Sequence, residues 1–261
     1  MNPLWQAARE ELLALLYPDA GRCALCGGPL SGATSRPEEG DCRRLAAVPA
    51  ELPPLCRACL DAIPREEEVC PRCGRPAAGA AARGELCPEC AAHPPVAARL
   101  RCIGVYQGSL RGAVLALKHS GRTDLARILG TLMALRLREG LGAPDLVVPL
   151  PASPGGLRHR GYNQAELLAR VVAAPWGLPV RSLLRTRDAA SQEGRGREHR
   201  RFARAGGFLV EEDITGARLL LVDDLYATRA TLDAAAEALY AAGAGRVEAV
   251  VAAAPLYTGS R

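Results

Sequence analysis

Aromatic residues and lysine are both scarce in this chain of 261 residues. Phe, Trp and Tyr together make up 4% of the sequence while alanine is abundant, so the core must be built from aliphatic side chains. Few aromatic rings also leave little stacking surface for nucleic acid bases, which argues against a binder that reads base sequence. Of 33 basic residues only Lys118 is a lysine, and the arginine bias that a GC-rich genome produces makes any single arginine weak evidence for a site.

Long apolar runs are absent as well. The first segment, Leu4 to Leu16, is apolar on one face and contains Arg9, Glu10 and Glu11. It lacks the basic start and the clean hydrophobic stretch of a signal peptide, and no other stretch is long and apolar enough to cross a bilayer. We therefore expect an amphipathic helix packed on the body of the protein, no membrane insertion and a cytoplasmic location.

Charge is unevenly distributed along the chain. Residues 1–95 contain 10 arginines and 13 acidic residues, whereas residues 96–261 contain 23 basic and 15 acidic residues. A basic second part favours phosphate-rich partners such as nucleotide sugars or nucleic acid. Pro94 and Pro95 precede a return of apolar patterning, so we predict two units: an N-terminal helix with a cysteine-rich module in residues 1–95, and a larger domain in residues 96–261.

Eight of the ten cysteines form four Cys-x-x-Cys pairs. A tight turn of this kind directs two thiolates at one ion, and two such pairs complete a tetrahedral zinc site. A disulfide framework is the alternative, but it suits small secreted domains rather than a chain with a large α/β remainder and no export signal. The sequence therefore predicts a zinc-ribbon-like module with one or two structural Zn²⁺ ions. The predicted ligands are Cys23, Cys26, Cys56, Cys59, Cys70, Cys73, Cys87 and Cys90.

The cysteine pairs can be combined in two ways. Sequential sites would join the first pair to the second and the third to the fourth, which needs the fewest chain crossings. In a nested arrangement the two inner pairs would share one ion instead. Cys42 and Cys102 stand outside the pairs, and Cys102 falls in a predicted strand, where we expect it in the core.

From residue 100 onward, segments with strand and helix patterns alternate. This order predicts an α/β fold with a largely parallel sheet and helices on both of its faces. The predicted strands are Leu100–Tyr106, Leu146–Leu150, Val180–Leu184, a segment near Phe208, Leu219–Val222 and Val247–Ala252. The predicted helices are Leu110–Lys118, Asp124–Arg138, Gln164–Ala173 and Leu232–Ala242.

A pair of carboxylates follows one of these strands directly. Leu219–Val222 is an apolar run typical of a buried parallel strand, and Asp223 and Asp224 stand at its carboxyl end. Ligands of open α/β sheets bind at such strand ends, and the N-terminus of the next helix offers free N–H groups to a phosphate. Two carboxylates can accept hydrogen bonds from ribose hydroxyls or hold a divalent metal. The sequence thus predicts a ribose-phosphate site with Asp223 and Asp224 as its reactive carboxylates.

The same segment resembles the phosphoribosyl pyrophosphate (PRPP) loop of type I phosphoribosyltransferases. That family usually has threonine where Ala227 stands and glycine where Arg229 stands. Glycine lets the backbone approach phosphate oxygens closely, whereas the arginine adds a bulky side chain that could itself hold phosphate by a bidentate contact. Either way ordinary PRPP chemistry is in question, so whether the protein is an enzyme stays open. The predicted phosphate-binding residues of the loop are Ala227, Thr228, Arg229, Ala230 and Thr231.

Further motifs stand in a fixed order along the chain, and together with the four cysteine pairs they resemble the ComF family (ComFC-like competence proteins) over nearly the whole length. These motifs are Leu117–Arg122, Val148–Pro151, Arg158–Ala169, and the spaced residues Gln192, Gly194, Arg197, Arg200 and Phe208. The resemblance implies a zinc-binding N-terminal part fused to a type I phosphoribosyltransferase fold. It also implies a role in natural transformation, with single-stranded DNA taken up beside a helicase-like partner. Lys118 would contact the pyrophosphate of PRPP, with Mg²⁺ as a second cofactor.

Basic residues cluster in two places outside the loop. Residues 181–204 contain eight arginines against three acidic residues, which fits either a solvated charged face or a surface for phosphate backbones. The segment from Arg158 to Gln164 fits either a surface loop with a capped helix or a flap over the ligand, in which Tyr162 would stack on a base. The predicted nucleic-acid-binding residues are Arg158, Arg160, Tyr162, Arg195, Arg197, Arg200 and Arg201.

Three functions compete on this basis. The first is a DNA-uptake factor whose altered loop still holds a nucleotide, a phosphate or a DNA end. The second is a working phosphoribosyltransferase that uses PRPP and Mg²⁺. The third is a zinc-stabilised scaffold whose pocket is no longer used.

Overall fold

A computed structural model describes residues 21–30, 54–64, 68–76, 85–137, 142–186, 204–205, 207–226 and 229–256. The predicted helix Leu4–Leu16, Cys42 and most of the arginine-rich segment lie outside these ranges. None of the helices in the described part combines the length and the apolar composition that a membrane span requires.

The centre of the molecule is a parallel sheet of four strands in the order β1-β7-β6-β2. A second, antiparallel sheet has the order β3-β5-β4. The strands are β1 (Arg99–Val105), β2 (Leu146–Pro149), β3 (Leu184–Thr186), β4 (Arg204–Ala205), β5 (Phe208–Val210), β6 (Arg218–Leu225) and β7 (Arg246–Ala254).

Helices cover both faces of the parallel sheet. The helices are α1 (Arg57–Asp61), α2 (Pro88–Ala92), α3 (Gly108–His119), α4 (Leu125–Leu137), α5 (Pro154–Arg160), α6 (Gln164–Ala173) and α7 (Arg229–Ala241). Helices α4 and α6 pack together on one face, while α7 contacts strands β4 and β5 on the other. The predicted α/β fold with a parallel sheet is confirmed.

The central strands of this sheet are continuous apolar runs in the sequence, and strand β6 shows why. Leu219 and Leu221 point into one core and Leu220 and Val222 into the other, and all four are buried. A strand covered on both faces has no solvent side, so the alternation of polar and apolar residues disappears.

The cysteine pairs lie on opposite faces of the edge strand β1. Cys70, Cys73, Cys87 and Cys90 share a core with Leu100 and Cys102, whereas Cys23 and Cys59 share the opposite core with Ile103. The two groups therefore extend the hydrophobic cores of the sheet.

The turn after Cys70 also covers the free edge of β1. The amide of Leu100 donates to the carbonyl of Arg72 at 3.0 Å, and the thiol of Cys102 lies 3.1 Å from the carbonyl of Gly74. The guanidinium of Arg72 donates to the carbonyls of Ala98 and Pro95 at 2.6 and 3.1 Å. An edge strand with occupied hydrogen-bonding groups is protected from pairing with another chain.

This close contact makes Gly74 sensitive to substitution. Gly74 has a φ of +62°, and a Cβ there would lie 2.5 Å from the carbonyl oxygen of Leu100. We expect Gly74→Ala to lower the free energy of unfolding by roughly 3 kcal/mol, because left-handed strain adds to displacement of the turn. Urea titration of the zinc-loaded protein measures this loss.

Gly27 provides the matched control. It occupies the same place in the first cysteine turn with a φ of +71°, but a Cβ there meets no atom within 4 Å. Gly27→Ala should cost only the backbone strain, about 1 kcal/mol. Equal losses in the two variants would contradict the role of Gly74 at the strand edge.

Several element bounds differ from those predicted. Helix α6 has the predicted range, but α7 begins earlier, at Arg229. The predicted strand at Val180–Leu184 is a single bridge from Val180 to Val147, followed by β3 in the separate sheet. Helix α5 was not predicted, and its last three residues belong to the segment Arg158–Gln164 that was interpreted as a surface loop or a flap. Ser153 caps the helix by accepting from the amide of Gly156 at 3.1 Å.

Candidate functional site

Strand β6 carries both predicted carboxylates to the carboxyl end of the parallel sheet. Because side chains alternate along a strand, Asp223 and Asp224 leave the sheet on opposite faces. Asp224 is buried, with 2% of its surface exposed, and Asp223 is partly exposed. The adjacent carboxylates therefore have different surroundings.

Two helices meet at Asp224. The ammonium of Lys118, in the last turn of α3, lies 3.5 Å from its Oδ2 atom. The side-chain amide of Gln164, the first residue of α6, donates to Oδ1 at 3.3 Å. This bond fixes the orientation of the Gln164 side-chain amide, because the flipped amide would place its oxygen against the carboxylate oxygen of Asp224. The Lys118 side chain remains 31% exposed, so its ammonium can reach a ligand as well as Asp224.

Two buried oxygens at this point have no hydrogen-bond donor among the described residues. They are Oε1 of Gln164 and Oδ2 of Asp224, whose contact with Lys118 is longer than a hydrogen bond. Buried acceptors are nearly always satisfied in folded proteins, so unsatisfied ones mark a place for a bound donor. Ligand hydroxyls or the water shell of a metal ion would supply such donors.

The sequence did not assign Gln164 to the site. The sequence indicated only that Gln164 is the polar first residue of a helix capped by Asn163. In the structure the side-chain oxygen of Asn163 accepts from the amide of Ala165 at 3.1 Å. Its contact with Asp224 spans 60 positions and is not encoded in any local pattern.

Asp223 is held in a different way. Its Oδ1 atom accepts from the amide of Asp224 at 2.8 Å. Burial and the negative charge of Asp224 raise the pKa of Asp223 well above the usual range for aspartate. The surroundings of Asp223 are thus short of positive charge, which a divalent cation would supply.

Asp223→Asn is expected to stabilise the protein at neutral pH. Since the folded-state pKa of Asp223 exceeds the unfolded-state value, stability falls as pH rises from the ordinary aspartate pKa through the folded-state pKa. The asparagine variant escapes this loss, so its advantage in denaturation midpoint should grow as pH rises from about 4, the ordinary aspartate pKa, to the folded-state pKa of Asp223. Chemical denaturation across that range measures it.

Asp145→Asn is the opposite control. Hydrogen bonds from Arg218 hold the pKa of the exposed Asp145 below its usual value. The stabilisation that goes with this lowered pKa is fully present above the unfolded-state pKa of Asp145. The variant should therefore be less stable than the parent by a constant amount from pH 5 to pH 8. A pH-independent effect at Asp223 would show that its carboxyl is not strained.

The loop that follows is described at its two ends, while Ala227 and Thr228 lie outside the described residues. On one side the hydroxyl of buried Tyr226 accepts from Arg75 at 2.9 Å. On the other side Nε of Arg229 donates to Asp233 at 2.9 Å. A phosphate contact of Arg229 would compete with this carboxylate, and that contact stays a prediction. Ala230 and Thr231 are exposed at the start of α7, where N–H groups are free to bind an anion.

The predicted nucleic-acid-binding residues fall in two groups. Arg158 is exposed on α5, Arg160 is partly buried, and Tyr162 donates its hydroxyl to the carbonyl of Leu117. That bond holds the ring of Tyr162 beside α3, at the border of a cavity of about 520 Å³. The other four lie outside the described residues: Arg195, Arg197, Arg200 and Arg201.

Eight cysteines of the described part form two clusters, each with its sulfurs within 4.8 Å of one another. The first cluster comprises Cys23, Cys26, Cys56 and Cys59, and the second comprises Cys70, Cys73, Cys87 and Cys90. This is the sequential arrangement of the four pairs.

The clusters fit a tetrahedral zinc ion. Four sulfurs at about 2.3 Å from one ion lie about 3.8 Å apart, and the sulfurs of Cys26 and Cys56 are 3.7 Å apart. Those of Cys73 and Cys87 are 3.8 Å apart. The cysteines of the described part are free thiols.

The chain matches no protein-family model. Among curated proteins, it is 29% identical to DNA utilization protein YhgH of Escherichia coli O157:H7 over 204 residues, which cover 74% of this chain and 87% of the relative. It is 25% identical to competence protein ComFC of Streptococcus pneumoniae, covering 74% and 84% of the two chains. It is 24% identical to competence protein F of Haemophilus influenzae, covering 74% and 87%. These relatives confirm the resemblance to the ComF family.

Two solved structures are similar to part of the chain. One is the protein TT1426 from Thermus thermophilus, with 21% identity and a TM-score of 0.33 over 50% of this chain and 81% of that one. The other is a purine phosphoribosyltransferase from Pyrococcus horikoshii, with 15% identity and a TM-score of 0.30 over 51% and 87%.

Proposed function

We propose that this chain is a ComF-type competence protein that handles single-stranded DNA during uptake and binds a ribose-phosphate group at the end of strand β6. The names of its relatives support the first part. The buried carboxylate of Asp224, held by Lys118 and Gln164 beside two unsatisfied oxygens, supports the second. This arrangement is the observation on which the proposed binding site depends.

Each part of a ribose phosphate has a partner in the proposed site. Ribose hydroxyls would donate to the unsatisfied oxygens of Asp224 and Gln164 after the side chains that cover these buried atoms move aside. The ammonium of Lys118 would contact a pyrophosphate or phosphate group. The exposed N-terminus of α7 at Ala230 and Thr231 would bind the 5′-phosphate, and Mg²⁺ beside Asp223 would screen its charge.

Single-stranded DNA would bind through arginine and phosphate contacts. The net positive charge of residues 96–261 and the arginines between 181 and 204 supply the electrostatic attraction. The scarcity of aromatic residues leaves little base stacking, so we expect weak sequence preference. The cysteine-rich part would contact a helicase-like competence partner.

The DNA-handling part predicts a steep dependence on salt. Neutralising about four phosphates should make single-stranded DNA binding roughly 50-fold weaker at 200 mM than at 50 mM NaCl. Reversing the charge of four arginines should remove most of the affinity and flatten this dependence. The four are Arg195, Arg197, Arg200 and Arg201. Fluorescence anisotropy with a labelled oligonucleotide measures both effects.

A charge-matched variant separates a binding surface from overall charge. Replacing Arg9, Arg36, Arg43 and Arg44 by glutamate changes the net charge by the same amount within residues 1–95. It should leave DNA affinity nearly unchanged. If the wild type does not bind DNA at 50 mM NaCl, DNA handling is wrong and the ribose-phosphate site stands alone.

An active phosphoribosyltransferase is the second candidate. The adjacent carboxylates at a strand end, with Lys118 at 3.5 Å from one of them, favour it. It would release pyrophosphate from PRPP in a reaction that needs Mg²⁺ and a nucleobase or amine acceptor. Binding of PRPP without pyrophosphate release would favour the binding protein over the enzyme.

A further inference from the structure

We propose that Glu89 is a positioning residue through which the second cysteine cluster and the phosphate loop (residues 226–231) strengthen each other's ligand binding. The identity of the ligand rests on the proposed function, while the coupling rests on contacts described below. Metal in the second cluster would hold the two ends of the loop, Tyr226 and Arg229, in place for binding. A ligand on the loop would in turn retain that metal.

Glu89 lies inside the second cluster, between Cys87 and Cys90 on helix α2. Its Oε2 atom is 2.9 Å from Nη1 of Arg75, and its Oε1 atom is 3.8 Å from Nη1 of Arg229. The carboxylate of Glu89 thus faces two guanidinium groups. One belongs to Arg75, two residues after Cys73, and the other to Arg229, the first residue of helix α7.

Both ends of the phosphate loop are joined to this carboxylate. Arg75 donates to the hydroxyl of Tyr226 at 2.9 Å, and its guanidinium lies 4.8 Å from the centre of the Tyr226 ring. Ala227 and Thr228 of the loop lie outside the described residues; Tyr226 immediately precedes them and Arg229 immediately follows them. Arg75, Glu89 and Arg229 therefore form a bridge from the cluster to either side of the loop.

A second contact fixes the far end of the bridge. Asp233, one turn along α7, accepts from Nε of Arg229 at 2.9 Å and from the amide of Val96 at 2.9 Å. The first residues of α7 are in this way bound to the chain that leaves the second cluster. A glycine at position 229 would provide neither the contact with Asp233 nor the one with Glu89.

The two arginines of the bridge are shielded from water and salt, whereas the Glu89 side chain is 34% exposed. The side chains of Arg75 and Arg229 are 10% and 14% exposed. An ion pair with one buried partner is screened less than a pair between two exposed side chains. Glu89 therefore has a larger influence on its two arginines than an exposed glutamate would have.

Metal binding should act on the loop through this bridge. Arg75 follows the cysteine pair at 70 and 73, whereas Glu89 lies in the pair at 87 and 90. One ion bound by both pairs would therefore fix the position of Arg75 relative to Glu89. Without the ion the two segments are free to separate, and the contacts to Tyr226 and Arg229 weaken together. Coupling between two binding sites is reciprocal, so the ligand must raise metal affinity by the same factor.

The first experiment needs no ligand. Hydrogen exchange of the peptide covering residues 226–231 is compared between the wild type and Glu89→Gln, both with two zinc ions. We expect exchange about 10-fold faster in the variant, within the usual range of coupling between sites. The variant keeps every cysteine, so zinc content and thermal stability test that its fold is retained.

Asp61→Asn is the matched control. Asp61 lies two residues after Cys59 in the first cluster and accepts from Arg57 on the same short helix α1. It makes the same carboxylate-to-amide change beside the metal cluster on the opposite face of the sheet. Loop exchange should equal that of the wild type, and a 10-fold rise there too would overturn the inference.

The second experiment tests reciprocity. Zinc transfer to a chromophoric chelator is followed with and without PRPP and Mg²⁺. We expect the ligand to slow release of one of the two ions about 10-fold in the wild type, and to have no such effect in Glu89→Gln with saturating ligand. Equal slowing in both proteins, or none in a wild type that binds PRPP, would overturn the inference.

The two experiments separate the inference from the proposed function. If PRPP does not bind the wild type, the ribose-phosphate site is wrong, and the exchange experiment still decides whether Glu89 orders the loop. If PRPP binds and loop exchange is the same in Glu89→Gln and in the wild type, the site stands and the coupling is wrong.

Discussion

Cys87→Ser is expected to abolish stable folding. Cys87 is fully buried in the second cluster, and its amide lies 3.4 Å from the sulfur of Cys70. A structural zinc ion contributes roughly 10–16 kcal/mol, which is as large as the whole stability of about 5–15 kcal/mol that a domain has. The cluster also shares its core with Leu100 and Val251, so its loss would expose the parallel sheet. Far-UV circular dichroism and gel filtration would show an unfolded or aggregated chain.

Cys26→Ser should have a much smaller effect. Cys26 is exposed and belongs to the first cluster, on the opposite face of the sheet. Because water can take the place of an exposed ligand, we expect this variant to bind one zinc ion more weakly and to keep the circular dichroism spectrum of the α/β domain. A Cys87→Ser variant that melts as cooperatively as Cys26→Ser would show that the second ion is not needed for the core.

Asp224→Asn is expected to weaken PRPP binding roughly 10- to 100-fold, because a hydrogen bond to a charged group contributes roughly 1.5–3 kcal/mol and one ribose hydroxyl loses its bond to the Oδ2 atom of Asp224. Asparagine has the same shape, and Lys118 is exposed enough to be hydrated once its partner is neutral. Folding should therefore be retained. Isothermal titration calorimetry in the presence of Mg²⁺ measures the affinity.

Asp145→Asn is the control for this binding loss. Asp145 sits before β2 and pairs with Arg218 at the amino end of β6, the end opposite Asp224. The variant should bind PRPP as the wild type does. If Asp224→Asn also binds like the wild type, the ribose-phosphate site lies elsewhere in the protein.

Local patterns were sufficient to predict the architecture. Alternation of apolar runs and amphipathic segments predicted a parallel sheet covered on both faces, which the structure has. Spacing within each cysteine pair is also a local property, so the four turns were predicted from the sequence. Asp223 and Asp224 were predicted at a strand end because their position follows from the strand that precedes them.

Contacts between distant segments were not predictable in this way. Glu89 and Arg229 are far apart in the sequence, and no periodicity indicates that a cysteine turn faces the start of α7. Spacing alone allowed Arg229 to hold a phosphate, whereas the structure places its guanidinium between Glu89 and Asp233. The missed helix α5 is a different case, since Ser153 and Pro154 are ordinary signals of a helix start.

The strand order has a consequence for synthesis on the ribosome. Strand β7 follows every other described strand along the chain, yet it lies between β1 and β6 and pairs with both. Strand β1, which both cysteine clusters flank, can join the rest of the sheet only after β7 has emerged. Until then the thiols of a nascent chain lack their hydrophobic cover, so zinc capture and protection from oxidation should be completed late in translation.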